Sequence, residues 1–148
     1  MRDFWRLEKL YPLLVVVCVA VFLSSRFWVK KPVIDWDITL YYSYLPALFI
    51  YEDLKFEKEP SPEWGKRHFG LKQDAEGNRY SKMTGGLAVL YSPFFFAAHA
   101  FASASESYPA DGFSVPYRFG LLFSLLSFTL LGLYFLKEYL KNYVSPAL

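Results

Sequence analysis

Two carboxylates that are nearly adjacent in the sequence, Asp35 and Asp37, follow the first apolar block of the chain and precede a run rich in tyrosine. A carboxylate in this position can act as a general base, or can bind a divalent cation such as Mg²⁺ or Mn²⁺, beside a substrate carried on a lipid. A structural alternative for Asp37 is that its side chain caps a helix beginning at Ile38. The two roles are compatible, so the sequence leaves both open.

Two cations precede or open the later apolar blocks. Lys82 lies just before the second block, close to the expected depth of lipid phosphates, and Arg118 lies at the start of the third. Either side chain could contact a substrate phosphate. The alternatives are that Lys82 reaches from the membrane to the headgroups as an ordinary anchor, and that Arg118 marks the end of a span.

Other kinds of chemistry find little support in the sequence. The letters "DWD" match a metal-binding signature of soluble nucleotide-sugar transferases, but here they lie in a loop between membrane segments. The chain has no P-loop, dinucleotide fingerprint, zinc spacing or nucleophile elbow. Because Cys18 is the only cysteine, an intrachain disulfide and a cysteine-rich metal site are excluded. The net charge of +2 is too small to indicate a nucleic-acid partner.

Three apolar blocks must position these groups, and they lie at residues 11–29, 86–104 and 115–136 of a chain that is 54% hydrophobic. At ~1.5 Å per residue, each block forms a helix of roughly 28 to 33 Å, close to the ~30 Å thickness of the hydrocarbon core. We therefore predict an all-α membrane protein with three transmembrane helices. A cleaved signal peptide is the alternative for the first block, but "RFWVKKP" is typical of an interfacial anchor and no cleavage site follows.

The charges around the first block predict its orientation. Residues 1–10 carry a small excess of basic side chains, which favours a cytoplasmic N-terminus. Strict alternation of three spans then places the long loop at 30–83 on the extracytoplasmic side.

The long loop contains two predicted elements. Apolar and tyrosine side chains recur at helical spacing over 38–54, which predicts an amphipathic helix at the membrane surface. Pro46 should interrupt this helix, which gives either two short helices or one kinked helix. Farther on, "DAEG" is flanked by two short runs, which predicts a small hairpin with Gly77 in the left-handed conformation.

Two other segments carry sequence signals. His99 lies in the middle of the second block, and we expect it to form a hydrogen bond within the protein rather than bind a metal, because no second ligand lies one helical turn away. Near the C-terminus, "VSPAL" is typical of a helix start, with Ser145 as the cap and Pro146 in the first turn. Residues 137–148 are thus predicted to begin a fourth helix, and we expect the chain to be an N-terminal piece of a longer membrane protein, with a short natural tail as the alternative.

The order of these features resembles the N-terminal part of the polytopic C-type (GT-C) membrane glycosyltransferases. This class includes the protein O-mannosyltransferases and the lipid A aminoarabinose transferases, and the chain resembles most the bacterial dolichyl-phosphate-mannose-protein mannosyltransferase-like group. The resemblance is carried by "DITLYYSYLPALFIYEDL" (37–54), "YSKMTGGLAVLYSPFFFAAHAFA" (80–102) and "YPADGFSVPYRFGLLFSLL" (108–126).

The resemblance implies a function and a location. In that family an acid early in the first outer loop is the catalytic base or metal contact, which by position corresponds to Asp37 first and Asp35 second. The donor would be a sugar on a polyprenyl phosphate, the acceptor would be extracytoplasmic, and the remaining helices of a longer chain would complete the enzyme in the bacterial inner membrane. Two alternatives stay open: a small non-catalytic membrane protein whose outer loop binds a partner, and, with less support, a transporter fragment.

Overall fold

The computed structural model describes residues 2–30, 33–34, 36–57 and 71–143. Within these ranges the chain is mainly helical and contains one small antiparallel hairpin. The helices are α1 (Arg2–Ser25), α2 (Phe27–Lys30), α3 (Trp36–Tyr42), α4 (Tyr44–Phe49), α5 (Gly86–Ser103) and α6 (Val115–Lys141), and the strands are β1 (Leu71–Gln73) and β2 (Arg79–Ser81). The chain divides into two compact units, one formed by Met1–Phe27 with Phe123–Leu148 and one by Trp28–Leu122.

Three helices are long and apolar enough to cross a membrane, as the three apolar blocks predict. The candidate spans are Glu8–Val29, Gly86–Ser103 and Val115–Lys141. Helix α1 begins at Arg2, well before the predicted start at residue 11, and a left-handed Arg26 (φ 47°) separates it from α2. The first apolar block is therefore a long helix followed by a single short turn.

Helix α6 extends farther than the sequence predicts. Residues 137–141 were expected to begin a fourth helix, but they form the last turn of α6. The ammonium of Lys141 donates a hydrogen bond of 3.0 Å to Glu138, and an ion pair with this spacing stabilises a helical turn. The predicted helix start at Ser145 and Pro146 lies outside the described residues.

In the first unit, α1 and the second half of α6 pack side by side in opposite directions. Tyr11 near the start of α1 contacts Tyr134 near the end of α6, with ring centroids 5.9 Å apart. At the other end, Phe22 lies 6.3 Å from Phe123. Lys137 lies 3.7 Å from Glu8, which also forms an ion pair with Lys141. Aromatic packing along the pair and charge pairing at one end thus fix its direction.

In the second unit, α3 and α4 pack against α5 around an aromatic core. Tyr42 is the centre of this core, with its ring about 6 Å from both Phe95 and Phe113. Phe95 also contacts Tyr117 at the start of α6, at 5.5 Å. The buried side chains of α5 are spaced three or four residues apart, as expected for one face of a helix, and they are Ala88, Tyr91, Phe95, Ala98 and Ala102.

The segment predicted to be helical over 38–54 consists of two short helices, and the second ends at Phe49. The break at Ser43 agrees with the prediction of two helical pieces. The end at Phe49 corrects the predicted end at residue 54. It arises because the backbone N–H groups of Ile50 and Tyr51 both donate to the carbonyl of Pro46, and Glu52 then adopts a left-handed conformation (φ 50°) that cannot continue a helix.

The predicted hairpin is present between β1 and β2, with Lys72 paired to Tyr80. Asp74 accepts three hydrogen bonds in its turn, two from backbone N–H groups and one from the side chain of Asn78. The side-chain bond from Asn78 is the main cause of the lowered pKa of Asp74. Gly77 is left-handed (φ 86°), as the sequence indicates. The hairpin ends at Ser81, directly before one of the candidate site residues.

The hydroxyl of Tyr42 makes a buried hydrogen bond to the turn before α6, and we expect its removal to be costly. It donates to the carbonyl of Gly112 at 2.6 Å, and burial raises the pKa of Tyr42 well above the usual value. In Tyr42→Phe that carbonyl loses its partner without access to water, so the free energy of unfolding should fall by ~1–3 kcal/mol. Chemical denaturation in detergent micelles measures this loss.

The matched control is Tyr51→Phe, which removes a similar bond of 2.8 Å to the carbonyl of Asp111. Tyr51 is only half-buried, although burial still raises its pKa to about 12. Water can replace its hydroxyl more easily, so the destabilisation should be smaller than for Tyr42→Phe. Equal and negligible effects of the two substitutions would contradict this description of the core.

Candidate functional site

The structure brings together two of the residues that the sequence selects, Asp37 and Lys82. The carboxylate of Asp37 lies 3.7 Å from the ammonium of Lys82, and the two side chains remain 69% and 42% exposed. An ion pair this open to water contributes only ~0–1 kcal/mol to stability. Both groups are therefore accessible to a ligand, and separating them would cost little.

Two hydrogen bonds hold Lys82 beside α3 and α4. The hydroxyl of Ser81 donates to the carbonyl of Leu40 at 3.2 Å, and the hydroxyl of Tyr44 donates to the carbonyl of Met83 at 2.6 Å. These bonds attach the residues on both sides of Lys82 to α3, which carries Asp37, and to α4. Ser81 and Tyr44 are thus positioning residues that the sequence analysis did not identify. The only sequence signal for them is that the predicted hairpin ends next to Lys82.

Asp37 lies inside the first turn of α3, which begins at Trp36. The helix-cap interpretation assumed a helix starting at Ile38, and the earlier start places the carboxylate one position inside the helix instead. A negative charge in the first turn still interacts favourably with the helix dipole, by ~0.3–1 kcal/mol when exposed. The structural contribution of the charge is therefore small, and its main neighbour is Lys82.

The described neighbours of Asp37 include one cation and no cluster of metal ligands. No group of three or more histidine, cysteine or acidic side chains that could hold a metal occurs among the described residues. The ammonium of Lys82 lies 3.7 Å from the carboxylate, and its positive charge would repel a cation bound there. The role of Asp37 as a ligand for Mg²⁺ or Mn²⁺ stays a prediction.

Of the other two candidate residues, the structure describes Arg118 but not Asp35. Arg118 is half-buried in the first turn of α6, where its backbone N–H donates to the carbonyl of Ser114 at 3.2 Å. His99 is joined to the hydroxyl of Tyr117 by a hydrogen bond of 2.5 Å and stacks on the ring of Phe95. As predicted, this histidine forms a hydrogen bond within the protein core.

These features define a mainly helical protein that has three helices long and apolar enough to cross a membrane, and an exposed pair of opposite charges at Asp37 and Lys82. No family model, curated protein or solved structure matches the chain. The function of the chain is therefore inferred from the geometry of this pair.

Proposed function

We propose that this chain supplies the first outer loop of an integral membrane glycosyltransferase, which moves a sugar from a polyprenyl phosphate to an extracytoplasmic acceptor. The observation that carries the proposal is the contact between Asp37 and Lys82, 3.7 Å apart. The sequence selects these two residues separately, one as a base and one as a phosphate ligand. Transfer from a sugar phosphate to a hydroxyl requires a base and a positive charge at one site, and this open ion pair can separate at little cost to place them on opposite faces of the sugar.

The reaction can be written with these two side chains. Asp37 takes the proton of the acceptor hydroxyl while that oxygen attacks the anomeric carbon of the donor sugar. The bond between this carbon and the phosphate oxygen breaks, and the phosphate leaves with the electron pair. Lys82 stabilises the negative charge that develops on the leaving phosphate. Attack opposite the leaving group inverts the configuration at the anomeric carbon.

The apolar surface of α3 and α4 supports a site close to lipid. Ile38, Leu48 and Phe49 are between 36% and 48% exposed, although they belong to short helices that otherwise bury their apolar residues. Exposed aliphatic and aromatic side chains on short helices favour an interface between water and acyl chains. A polyprenyl phosphate would present its headgroup at that depth.

Donor binding tests the role of Lys82. In the full-length protein, Lys82→Gln should weaken the binding of a polyprenyl-phosphate sugar about tenfold, because a charge-assisted hydrogen bond contributes ~1.5–3 kcal/mol and tenfold corresponds to ~1.4 kcal/mol. Titration in nanodiscs by calorimetry measures this change.

The control is Lys72→Gln, which removes an exposed lysine of strand β1 and keeps the net charge equal to that of Lys82→Gln. It should bind the donor like the wild type. Equal affinities of both variants and the wild type would remove Lys82 from the site. Absence of donor binding by the wild-type protein would instead favour a non-catalytic membrane protein whose loop binds another partner.

A further inference from the structure

The direction of α1 relative to the second half of α6 limits how many of the candidate spans can cross the membrane. Glu8 forms ion pairs with Lys137 and Lys141, so the beginning of α1 lies at the end of α6. If all three candidate spans crossed in succession, α1 and α6 would cross in the same direction. Glu8 and Lys141 would then lie on opposite sides of a hydrocarbon layer ~30 Å thick, where no ion pair could form.

The connectivity of the chain then determines whether α5 can cross the membrane. Two helices that cross in opposite directions require the chain between them to begin and end on the same side. That chain contains one candidate span among the described residues, Gly86–Ser103. A single crossing by α5 would leave the chain on the wrong side to enter α6. The packing within the first unit is therefore incompatible with a crossing by α5.

Hydrogen bonds within the second unit also argue against a crossing by α5. The turn that follows α5 is bonded to α3 and to the residues just after α4. Tyr42 of α3 donates to the carbonyl of Gly112, and Tyr51 donates to that of Asp111. Ser81, which lies before α5, donates to Leu40 in the same short helix as Tyr42. The segments on both sides of α5 thus attach to α3 and α4, which a crossing by α5 would separate by a bilayer.

We propose that α5 does not cross the membrane, and that the described residues between α1 and the second half of α6 lie on a single side of the bilayer, which α1 and the second half of α6 cross. This inference is independent of the catalytic proposal. It revises the predicted topology by placing the turn after α5 on the same side as the loop that carries Asp37. Both ends of the described chain then face the opposite side.

The outer face of α5 is apolar and exposed in this arrangement, so we expect it to lie on the surface of the same bilayer. Val89, Leu90, Phe96 and Phe101 are between 43% and 71% exposed, and α5 contains no charged residue. A helix with one face on a protein core and an apolar face outward is suited to lie in the interface plane.

Single cysteines test the topology. In a Cys18→Ser background, cysteines replace Ala75 in the hairpin turn, Ser107 after α5 and Asn142 after α6, all of them exposed positions. An impermeant maleimide is applied to intact cells and then to opened membranes. We expect Ala75→Cys and Ser107→Cys to react from the same side and Asn142→Cys from the other. Any other pattern overturns the proposal, and reaction of Ala75→Cys and Asn142→Cys together from one side would establish three crossings.

Spin labels test the contact with lipid. Nitroxides at Val89 and Phe96 should both show a shallow depth near the headgroup boundary, because an in-plane helix keeps its whole outer face at one level. A label at Ala75 is the aqueous reference. If one label lies at the bilayer centre and the other near the headgroups, α5 is inserted across the membrane and the proposal is wrong. If both labels are as accessible to water as the reference, the lipid contact is wrong.

Discussion

Replacing Asp37 with asparagine is expected to lower the turnover of sugar transfer by roughly 100-fold or more, the scale typical of removing a general base. Asparagine keeps the size and shape of the side chain but cannot accept the proton of the acceptor hydroxyl. The side chain is 69% exposed and its ion pair with Lys82 is open to water, so the fold should be nearly unaffected. The effect should therefore appear in turnover at an unchanged thermal midpoint.

The measurement needs the full-length protein with a polyprenyl-phosphate sugar, and variants compared at equal expression. Glu76→Gln is the matched control, because it neutralises an exposed acid in the hairpin turn. It should transfer sugar at the wild-type rate. Asp35→Asn should be impaired less than Asp37→Asn, because Asp35 is nearer in sequence to the basic residues of "KKP". Wild-type turnover in Asp37→Asn would withdraw the catalytic assignment.

Replacing Gly112 with alanine should give the largest loss of stability among the substitutions considered. Gly112 is left-handed (φ 84°), and a Cβ there would lie 2.7 Å from the Cβ of Pro46 and 3.3 Å from the Cδ1 of Ile50. A left-handed alanine costs ~1–3 kcal/mol, and overpacking against a rigid proline ring costs a similar amount. We expect the free energy of unfolding to fall by about 3 kcal/mol or more.

Gly77→Ala separates the two causes of this loss. Gly77 is also left-handed (φ 86°), but an added Cβ would have no atom within 4 Å. Its substitution should therefore cost only the backbone strain of ~1–3 kcal/mol. Denaturation of both variants in the same detergent gives the difference. Equal losses for Gly112→Ala and Gly77→Ala would mean that the turn before α6 does not pack on Pro46.

The three long helices and the hairpin could be predicted because local patterns determine them. Long apolar blocks predict the three helices, and a turn sequence containing Gly77 predicts the hairpin. Helix ends were less predictable, since α4 ends at Phe49 through a left-handed Glu52, a residue type that gives no such signal. Similarly, α6 continues to Lys141 through an ion pair that an apolar block does not reveal.

The candidate site could be predicted residue by residue but not as an arrangement. The positions of Asp37 and Lys82 next to apolar blocks made them candidates, yet their contact depends on the bonds of Ser81 and Tyr44, which join segments far apart in sequence. The direction of α1 against α6 likewise depends on long-range packing of aromatic side chains. The topology predicted from charge bias also depends on the assumption that all three apolar blocks cross the membrane.

The central claim is that Asp37 and Lys82 form the site of sugar transfer, and the release of free polyprenyl phosphate tests it most directly. The full-length protein is placed in proteoliposomes with a labelled polyprenyl-phosphate sugar and a cell-envelope extract as the source of acceptor. We expect the wild type to release polyprenyl phosphate and Asp37→Asn to release at most about one hundredth as much. Equal release by the two proteins, or none by the wild type, would contradict the claim.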